Sequence, residues 1–231
     1  MRGVRKPLIA VAALAALLVG ADRLAVVVAE NRAAEQVEFG TGSPDSTEVA
    51  IHGFPFVTQL PGKRLDAVDL SLRGVPVTTS EGRSLRITEL KATGHQVRLR
   101  GDWSAAEVAQ VEGSALISYQ DLTEAAPEGV RVGYGGAPGK LRLTVTADLL
   151  GREFSQDIVS DVSLVGADTF RVRAEELPGM GLPGLEELIR TRTDFDRPVH
   201  GLPEGVKLTG LTTDASGIRA ALAGTDVPLG T

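Results

Sequence analysis

The chain has 231 residues, a formal net charge of −6 and no cysteine. The missing cysteine excludes a disulfide framework, a thiolate metal site, a cysteine nucleophile and a lipidated N-terminal cysteine. The acidic charge and the lack of a basic stripe argue against nucleic-acid binding and against general adhesion to anionic bilayers. Stability must therefore come from a hydrophobic core, which a chain of this length can supply as one domain.

The N-terminus has the composition of a secretory signal. Three basic residues precede an uncharged run of 15 residues, Pro7 to Ala21. The run is short for a membrane span, which needs about 20 apolar residues, and it ends in small residues that suit a signal peptidase. Because Leu24 to Ala29 is apolar again, an uncleaved membrane anchor is the alternative. We expect an exported protein of the periplasm or cell envelope, with residues 1–21 as signal or anchor and residues 22–231 as one domain.

Helical spacing of apolar residues follows the signal. Asp22 to Phe39 predicts one amphipathic helix, with Asp22 suited to cap its start and Gly40 to end it. Three further segments look helical, and all of them are short. These segments are Ser104–Gln110, Gln120–Ala126 and Leu185–Thr191.

The rest of the chain alternates apolar and polar residues, which predicts strands separated by Gly and Pro turns. The predicted strands are Glu48–Ile51, Leu65–Val75, His95–Arg100, Val130–Tyr134, Lys140–Leu149, Ile158–Val165, Thr169–Ala174, Val206–Leu211 and Ile218–Leu222. With one substantial helix to cover these apolar faces, the antiparallel sheet must curl, fold on itself or wrap the helix. Its aliphatic lining either encloses an elongated cavity or packs tightly, and periodicity leaves both open.

No catalytic or metal-binding pattern is found in the sequence. His52, His95 and His200 lie in separate segments, and neither HExxH nor GxSxG occurs. His95 shares the alternation of Val97 and Leu99, which favours a structural role. An envelope enzyme would need His52 or His200 beside a carboxylate. We expect no enzymatic activity, no catalytic residues, no metal and no cofactor.

The segment Gly53-Phe54-Pro55-Phe56 cannot lie in a central strand, because proline lacks the N–H that the ladder needs. Phe54 and Phe56 are expected to point to the same side of an extended segment. They form either a core plug that closes one end of the sheet or an aromatic lip at the mouth of an apolar cavity. In the second interpretation Phe54, Phe56 and Leu60 form the rim of a lipid-binding groove.

The run V-x-I-x-G-F-P-F-x-x-Q-L, from Val49 to Leu60, resembles the signature of the LmeA-like phospholipid-binding family of actinobacterial envelope proteins. The preceding A-D-R-x-x-x-x-x-A-E, from Ala21 to Glu30, and the later GLPEGV, from Gly201 to Val206, support the resemblance. It implies an α+β fold similar to half of a tubular lipid-binding protein, with a strongly curved antiparallel sheet wrapped against one long N-terminal helix. It also implies binding of phospholipids, including phosphatidylinositol mannosides, and a role in mannan elongation at the membrane.

The sequence therefore leaves two main hypotheses for the function. In the first, an apolar groove holds one or two acyl chains, each methylene contributing about 0.8 kcal/mol. In the second, a non-catalytic structural or accessory envelope protein binds a protein partner through an apolar surface. A hollow interior favours lipid, whereas a filled interior with an exposed flat apolar patch favours a partner.

Overall fold

The computed structural model describes residues 5–36, 42–79, 82–101, 105–149, 152–175, 193–199 and 202–230. Its helices are α1 (Arg5–Gln36), α2 (Phe56–Gln59) and α3 (Tyr119–Ala125). Its strands are β1 (Ser46–His52), β2 (Arg64–Thr78), β3 (Ser84–Arg100), β4 (Ala105–Ser118), β5 (Val130–Tyr134), β6 (Lys140–Leu149), β7 (Arg152–Val165), β8 (Thr169–Ala174), β9 (Phe195–Pro198), β10 (Val206–Asp214) and β11 (Gly217–Leu229).

The strands form two antiparallel sheets. The larger sheet has the order β1-β2-β3-β4-β11-β10, and the smaller has the order β5-β6-β7-β8-β9. Neither sheet closes on itself within the described residues. The α+β class with antiparallel pairing is therefore confirmed. The resemblance implied one sheet, but the structure has two open sheets. The curvature of a sheet into half of a tube stays a prediction.

All nine predicted strands lie within observed ones, and β5, β6 and β8 match at both ends. The helix predicted at Ser104–Gln110 is wrong, because β4 begins at Ala105 and pairs with β3 on one side and β11 on the other. Alanine and glutamate favour a helix locally, but two flanking strands override that preference. The helix at Gln120–Ala126 is confirmed as α3, and Leu185–Thr191 lies outside the described residues.

The N-terminal helix is longer than predicted. α1 runs without a break from Arg5 to Gln36, so Asp22 lies inside the helix and does not cap its start. The uncharged run and the amphipathic segment after it thus belong to one element, which contacts β1 and α2. No helix formed by the described residues is both long enough and apolar enough to span a bilayer.

Four buried clusters lie among the described residues, and one of them, Val130, Val145, Ile158 and Ala174, lies within the smaller sheet. The helix cluster joins α1 and α2 to the larger sheet through Val26, Phe56, Leu65, Val97, Val108 and Val227. The far cluster lies further along the same sheet and comprises Leu72, Val75 and Leu90. The fourth cluster, Leu141, Leu143, Val162 and Val172, packs against Leu211 of β10 and Ile218 of β11 and thereby joins the two sheets.

A row of missing pairs crosses four strands of the larger sheet. The pairing of β2, β3, β4 and β11 skips Asp66, Gln96, Ala109 and Asp226 at one level. Gln96 and Asp226 have left-handed φ values of 53° and 52° there. Such residues interrupt the ladder and reset which side chains face each side, as in a β-bulge.

This row changes the prediction for His95. Alternation placed His95 on the apolar face with Val97, but the left-handed Gln96 lies between them. Val97 is 5% exposed in the helix cluster, whereas His95 is exposed and lines an open cleft. His95 therefore does not lie on the buried face on which alternation with Val97 and Leu99 places it.

Gly74 resets the alternation of β2 a second time. Its φ is +62°, and the pairing of β2 with β3 skips this position. Leu72 and Val75, three residues apart, are consequently both fully buried in the far cluster. A Cβ at Gly74 would also collide with the carboxylate of Asp45.

We expect Gly74→Ala to lower the free energy of unfolding by about 1–3 kcal/mol, because a left-handed alanine is strained and its Cβ meets Asp45. The measurement is denaturant unfolding of both proteins. Gly82→Ala is the matched control, since Gly82 has a φ of +76° but no atom within 4 Å of an added Cβ. A loss at Gly74 no larger than the loss at Gly82 would contradict this account.

Candidate functional site

The carboxylate of Asp22 joins the GFPF segment to α1. Its side chain is 2% exposed, and its Oδ1 accepts the backbone N–H of Val57 over 2.9 Å. Arg23 donates to Oδ2 over 2.7 Å. The Val57 N–H is the largest influence on the pKa of Asp22 and lowers it; burial opposes this, and Arg23 adds to it. Asp22 thus caps α2, whose own N-cap residue, Pro55, makes no side-chain cap.

The two phenylalanines of the segment have opposite surroundings. Phe56 is 3% exposed and lies in the helix cluster, as a core plug does. Phe54 is 63% exposed, and the guanidinium carbon of Arg23 lies 5.3 Å from its ring centroid. The expectation that both rings point to one side of an extended segment is wrong, because α2 begins at Phe56 and turns the chain. Leu60 is half-buried against the helix cluster.

Two other residues of the segment have packing roles. Gly53 has a φ of +111°, and a Cβ there would collide with the side-chain amide of Gln59 and lie 2.6 Å from Oδ2 of Asp66. Gln59 folds back, and its Oε1 accepts the backbone N–H of Asp66 over 3.0 Å. The glycine and the glutamine of the signature are thus explained by one tight contact between α2 and β2.

Two cross-strand rows of the larger sheet are apolar from edge to edge. In order across β1, β2, β3, β4, β11 and β10, the first row is Ile51, Val68, Gly94, Val111, Gly224 and Val206. The second row, two residues further along, is Val49, Leu70, Ala92, Gly113, Leu222 and Leu208. Residues opposite one another in antiparallel strands share a face, so these twelve residues form one uncharged band, called here the apolar band.

The apolar band lies between the helix cluster and the far cluster. Val68 and Val111 pack against the first, and Leu70 and Leu222 pack against the second. All four side chains are only half-buried. Six strands at a spacing of about 4.8 Å make the band about 24 Å long. That exceeds the length of one acyl chain, which is about 15 Å, half of a hydrocarbon core of about 30 Å.

A histidine and a carboxylate do meet, but on the opposite face of this sheet. His52 Nε2 lies 2.7 Å from Oδ2 of Asp69, and Thr93 donates to Oδ1 of Asp69 over 2.7 Å. These two contacts, the one with Thr93 first, lower the pKa of Asp69. Both members of the pair are about half exposed, 54% for His52 and 46% for Asp69. His200 lies outside the described residues, and the expected lack of catalysis stays a prediction.

Open polar clefts border the sheet at the row of missing pairs. One has a volume of about 570 Å³ and is lined by residues that include Arg64, Asp66 and Arg98. Another, of about 500 Å³, is lined by residues that include Glu107 and Asp226. Both are open and carry charged side chains, so neither is an enclosed apolar cavity. Among the described residues, no group of three His, Asp or Glu side chains is placed to hold a metal ion.

Comparison with known proteins gives one match. The model of the family described as LmeA-like phospholipid-binding matches residues 20–223, which is most of the chain. The resemblance based on the GFPF signature is therefore confirmed over the helix, both sheets and the C-terminal strands. No curated protein and no solved structure gives a significant match.

Asp22→Asn should lower the melting temperature of the protein near neutral pH, because a neutral amide accepts the Val57 N–H less strongly. The folded-state pKa of Asp22 is lowered, so its ionised form stabilises the fold above the unfolded pKa of about 3.9 and loses that effect as the pH falls below it. The gap between wild type and variant should therefore narrow between about pH 5 and pH 2.

The measurement is thermal unfolding of the full chain over that pH range. Glu112→Gln, an exposed carboxylate on the opposite face of β4, is the control and should change the melting temperature little. If the difference in melting temperature between wild type and Asp22→Asn stays constant with pH, the effect does not depend on the charge of Asp22 and this account is contradicted.

Proposed function

Because the chain belongs to the LmeA-like phospholipid-binding family, we propose that it holds the acyl chains of a phospholipid against the apolar band. The apolar band is the observation that carries this proposal. It has twelve apolar residues and no charge, and its central side chains are half-buried. Half-exposed aliphatic side chains at the middle of a sheet gain free energy when an acyl chain covers them.

The composition of the band suits a chain-like ligand. Large and small residues alternate along the first row, Val68 beside Gly94 and Val111 beside Gly224. Gly94 and Gly224 leave room that the side chains of Val108 and Val227 fill from the next row. The surface is thereby smooth and aliphatic, with no donor or acceptor side chain for a polar ligand. Each buried methylene contributes about 0.8 kcal/mol, so tight binding needs no polar contact.

The GFPF segment is the proposed rim of this site. Leu60 packs on the same cluster as Val68 and Val111, and Phe54 is exposed beside Arg23. Phe56 closes the end of the site from within the core. In this proposal Phe54, Phe56 and Leu60 bound the groove, and Arg23 supplies a cation for the phosphate that joins the acyl chains to the headgroup.

The proposal extends to compartment and headgroup. The basic N-terminus and the uncharged run of residues 7–21 support export to the periplasm or cell envelope, with the segment cleaved or kept as an anchor. The family resemblance supports a glycophospholipid such as a phosphatidylinositol mannoside and a role in mannan assembly. The protein binds without catalysis in this proposal, and it uses no cofactor.

A structural or accessory protein that binds a protein partner is the second candidate function. The observation that favours it is the exposure of large apolar side chains on α1 and in the GFPF segment, with Leu24 70% and Phe54 63% exposed. Co-purification separates the candidates. Bound phospholipid in native mass spectra of the protein from its own envelope supports the first, and a stoichiometric protein without lipid supports the second.

Leu222→Gln should weaken phospholipid binding by about 5- to 150-fold, because an unpaired amide in an apolar site costs about 1–3 kcal/mol and tenfold corresponds to about 1.4 kcal/mol. The measurement is titration of the delipidated full chain with a fluorescent phospholipid. Since Leu222 is half-buried, the fold should persist, which circular dichroism checks.

Ala221→Gln is the matched control. Ala221 is the neighbouring residue of β11, is exposed and faces the other side of the sheet. It should leave uptake unchanged. Equal uptake by wild type, Leu222→Gln and Ala221→Gln would place the lipid elsewhere, and no uptake by any of them would overturn the proposed function.

A further inference from the structure

The side of α1 that faces away from the sheet is apolar where a soluble surface would be polar. Leu24, Val27 and Val28 are 70%, 52% and 52% exposed, and the side chains of Phe54, which precedes α2, and of Val57, in α2, are 63% and 46% exposed. These five residues are called here the docking surface. Single exposed apolar residues are common, but contiguous ones mark a contact with another apolar phase or molecule.

Two contacts make the docking surface continuous. The Val57 N–H donates to Asp22, and the Arg23 guanidinium lies over the ring of Phe54. These contacts place Phe54 and Val57 against the turn of α1 that precedes Leu24. Since residues three and four apart are neighbours on a helix surface, Val27 lies beside Arg23 in the next turn, and Leu24 lies beside Val27 and Val28.

The charges around this surface fit a phospholipid bilayer. Between residues 17 and 28 of α1 and between residues 54 and 58, the charged residues are Asp22 and Arg23. Asp22 is 2% exposed and already bonded, whereas Arg23 is 50% exposed. Within these two segments the surface therefore presents hydrocarbon and one guanidinium, and the exposed carboxylate of Asp66 lies at its edge, beside Gly53. A bilayer has the matching layers, phosphate outside and hydrocarbon inside.

The continuation of α1 also points to a bilayer. Leu17 and Leu18, 71% and 64% exposed, extend the apolar side toward the N-terminus, where the same helix enters the uncharged run of residues 7–21. A bilayer covers a surface of this length without a complementary shape. A protein partner would need a matching groove along several turns of helix.

We propose that the docking surface seats the protein on a phospholipid bilayer, with Phe54 and Val57 below the phosphate layer and Arg23 at its level. This inference rests on the proposed function, because it brings the rim of the apolar band to the source of its lipid. The chain is acidic overall, with a formal charge of −6, so apolar insertion and not long-range attraction holds it there. Binding therefore resists salt.

The chain has no cysteine, so one cysteine carries one label. Three full-length proteins, Phe54→Cys, Val57→Cys and Ala215→Cys, are labelled with a polarity-sensitive fluorophore and mixed with phosphatidylcholine–phosphatidylglycerol vesicles. Ala215 is exposed in the turn between β10 and β11 and is the control. We expect blue-shifted emission at residues 54 and 57, retained in about 1 M salt where the Debye length is about 3 Å, and no shift at residue 215.

Each other outcome overturns the inference. If the protein sediments with vesicles but the emission of labels at residues 54 and 57 is not blue-shifted, the docking surface does not contact the bilayer. In that case only residues 1–21 bind the bilayer, or the docking surface binds a protein. A shift at all three positions means non-specific adsorption. Loss of the shift in high salt means electrostatic adhesion.

A second pair of variants separates this inference from the proposed function. Leu24→Ser combined with Val57→Ser should slow extraction of fluorescent phospholipid from vesicles and leave uptake of a soluble short-chain phospholipid unchanged. Leu222→Gln should reduce both. If wild type takes up no soluble phospholipid but labels at residues 54 and 57 still shift, the proposed function fails and the docking surface stands. If uptake is normal and the labels do not shift, the docking surface fails alone.

Discussion

The buried carboxylate of Asp22 determines how the N-terminal helix meets the rest of the protein. A carboxylate that is 2% exposed is stable only when its oxygens are bonded, and here the Val57 N–H and Arg23 provide those bonds. This fixes α2 on α1, which places Phe56 and Val26 in the same cluster with four strands of the larger sheet. The helix cluster and the outward position of Phe54 both depend on that arrangement.

The apolar band depends on a second constraint, which is the placement of left-handed residues. Gln96, Asp226 and Gly74 reset the alternation of their strands. The reset at Gly74 brings Leu72 and Val75 into the far cluster, and at the row that contains Gln96 and Asp226 the helix cluster takes Leu65 and Val68 from β2. Between these positions, apolar and polar side chains alternate regularly along the strands, so the two uncharged rows of the apolar band lie on one face of the sheet. The sheet therefore has a buried cluster toward each end and the half-buried apolar band between them. In the function proposed above, the acyl chains lie against this band.

Local patterns predicted the strands well and the site poorly. Alternation is a property of one strand, so Lys140–Leu149 was predictable to the residue. The start of β4 was predicted as a helix because its alanine and glutamate residues favour a helix locally, and only the pairing with β3 and β11 overrides that preference. The same limit applies to the site. Phe54, Phe56 and Leu60 belong to a motif that the sequence shows directly. The apolar band, in contrast, is formed by the register of six strands, which the sequence does not show. Asp22 was predicted to cap the helix that it begins, but it caps α2. No sequence signal places His95 outside, because Gln96 is not a residue that usually marks a bulge.

The continuity of α1 restricts when a protease could cut the chain after Ala21. The bond after Ala21, the cleavage site proposed above for an exported protein, lies inside the helix and directly before Asp22. Proteolysis acts on exposed, extended backbone, so cutting there requires this turn to be unwound. Once Asp22 holds α2, unwinding breaks that contact and withdraws Val26 from the core. A cut after Ala21 would therefore have to precede the contact between Asp22 and α2, or break it.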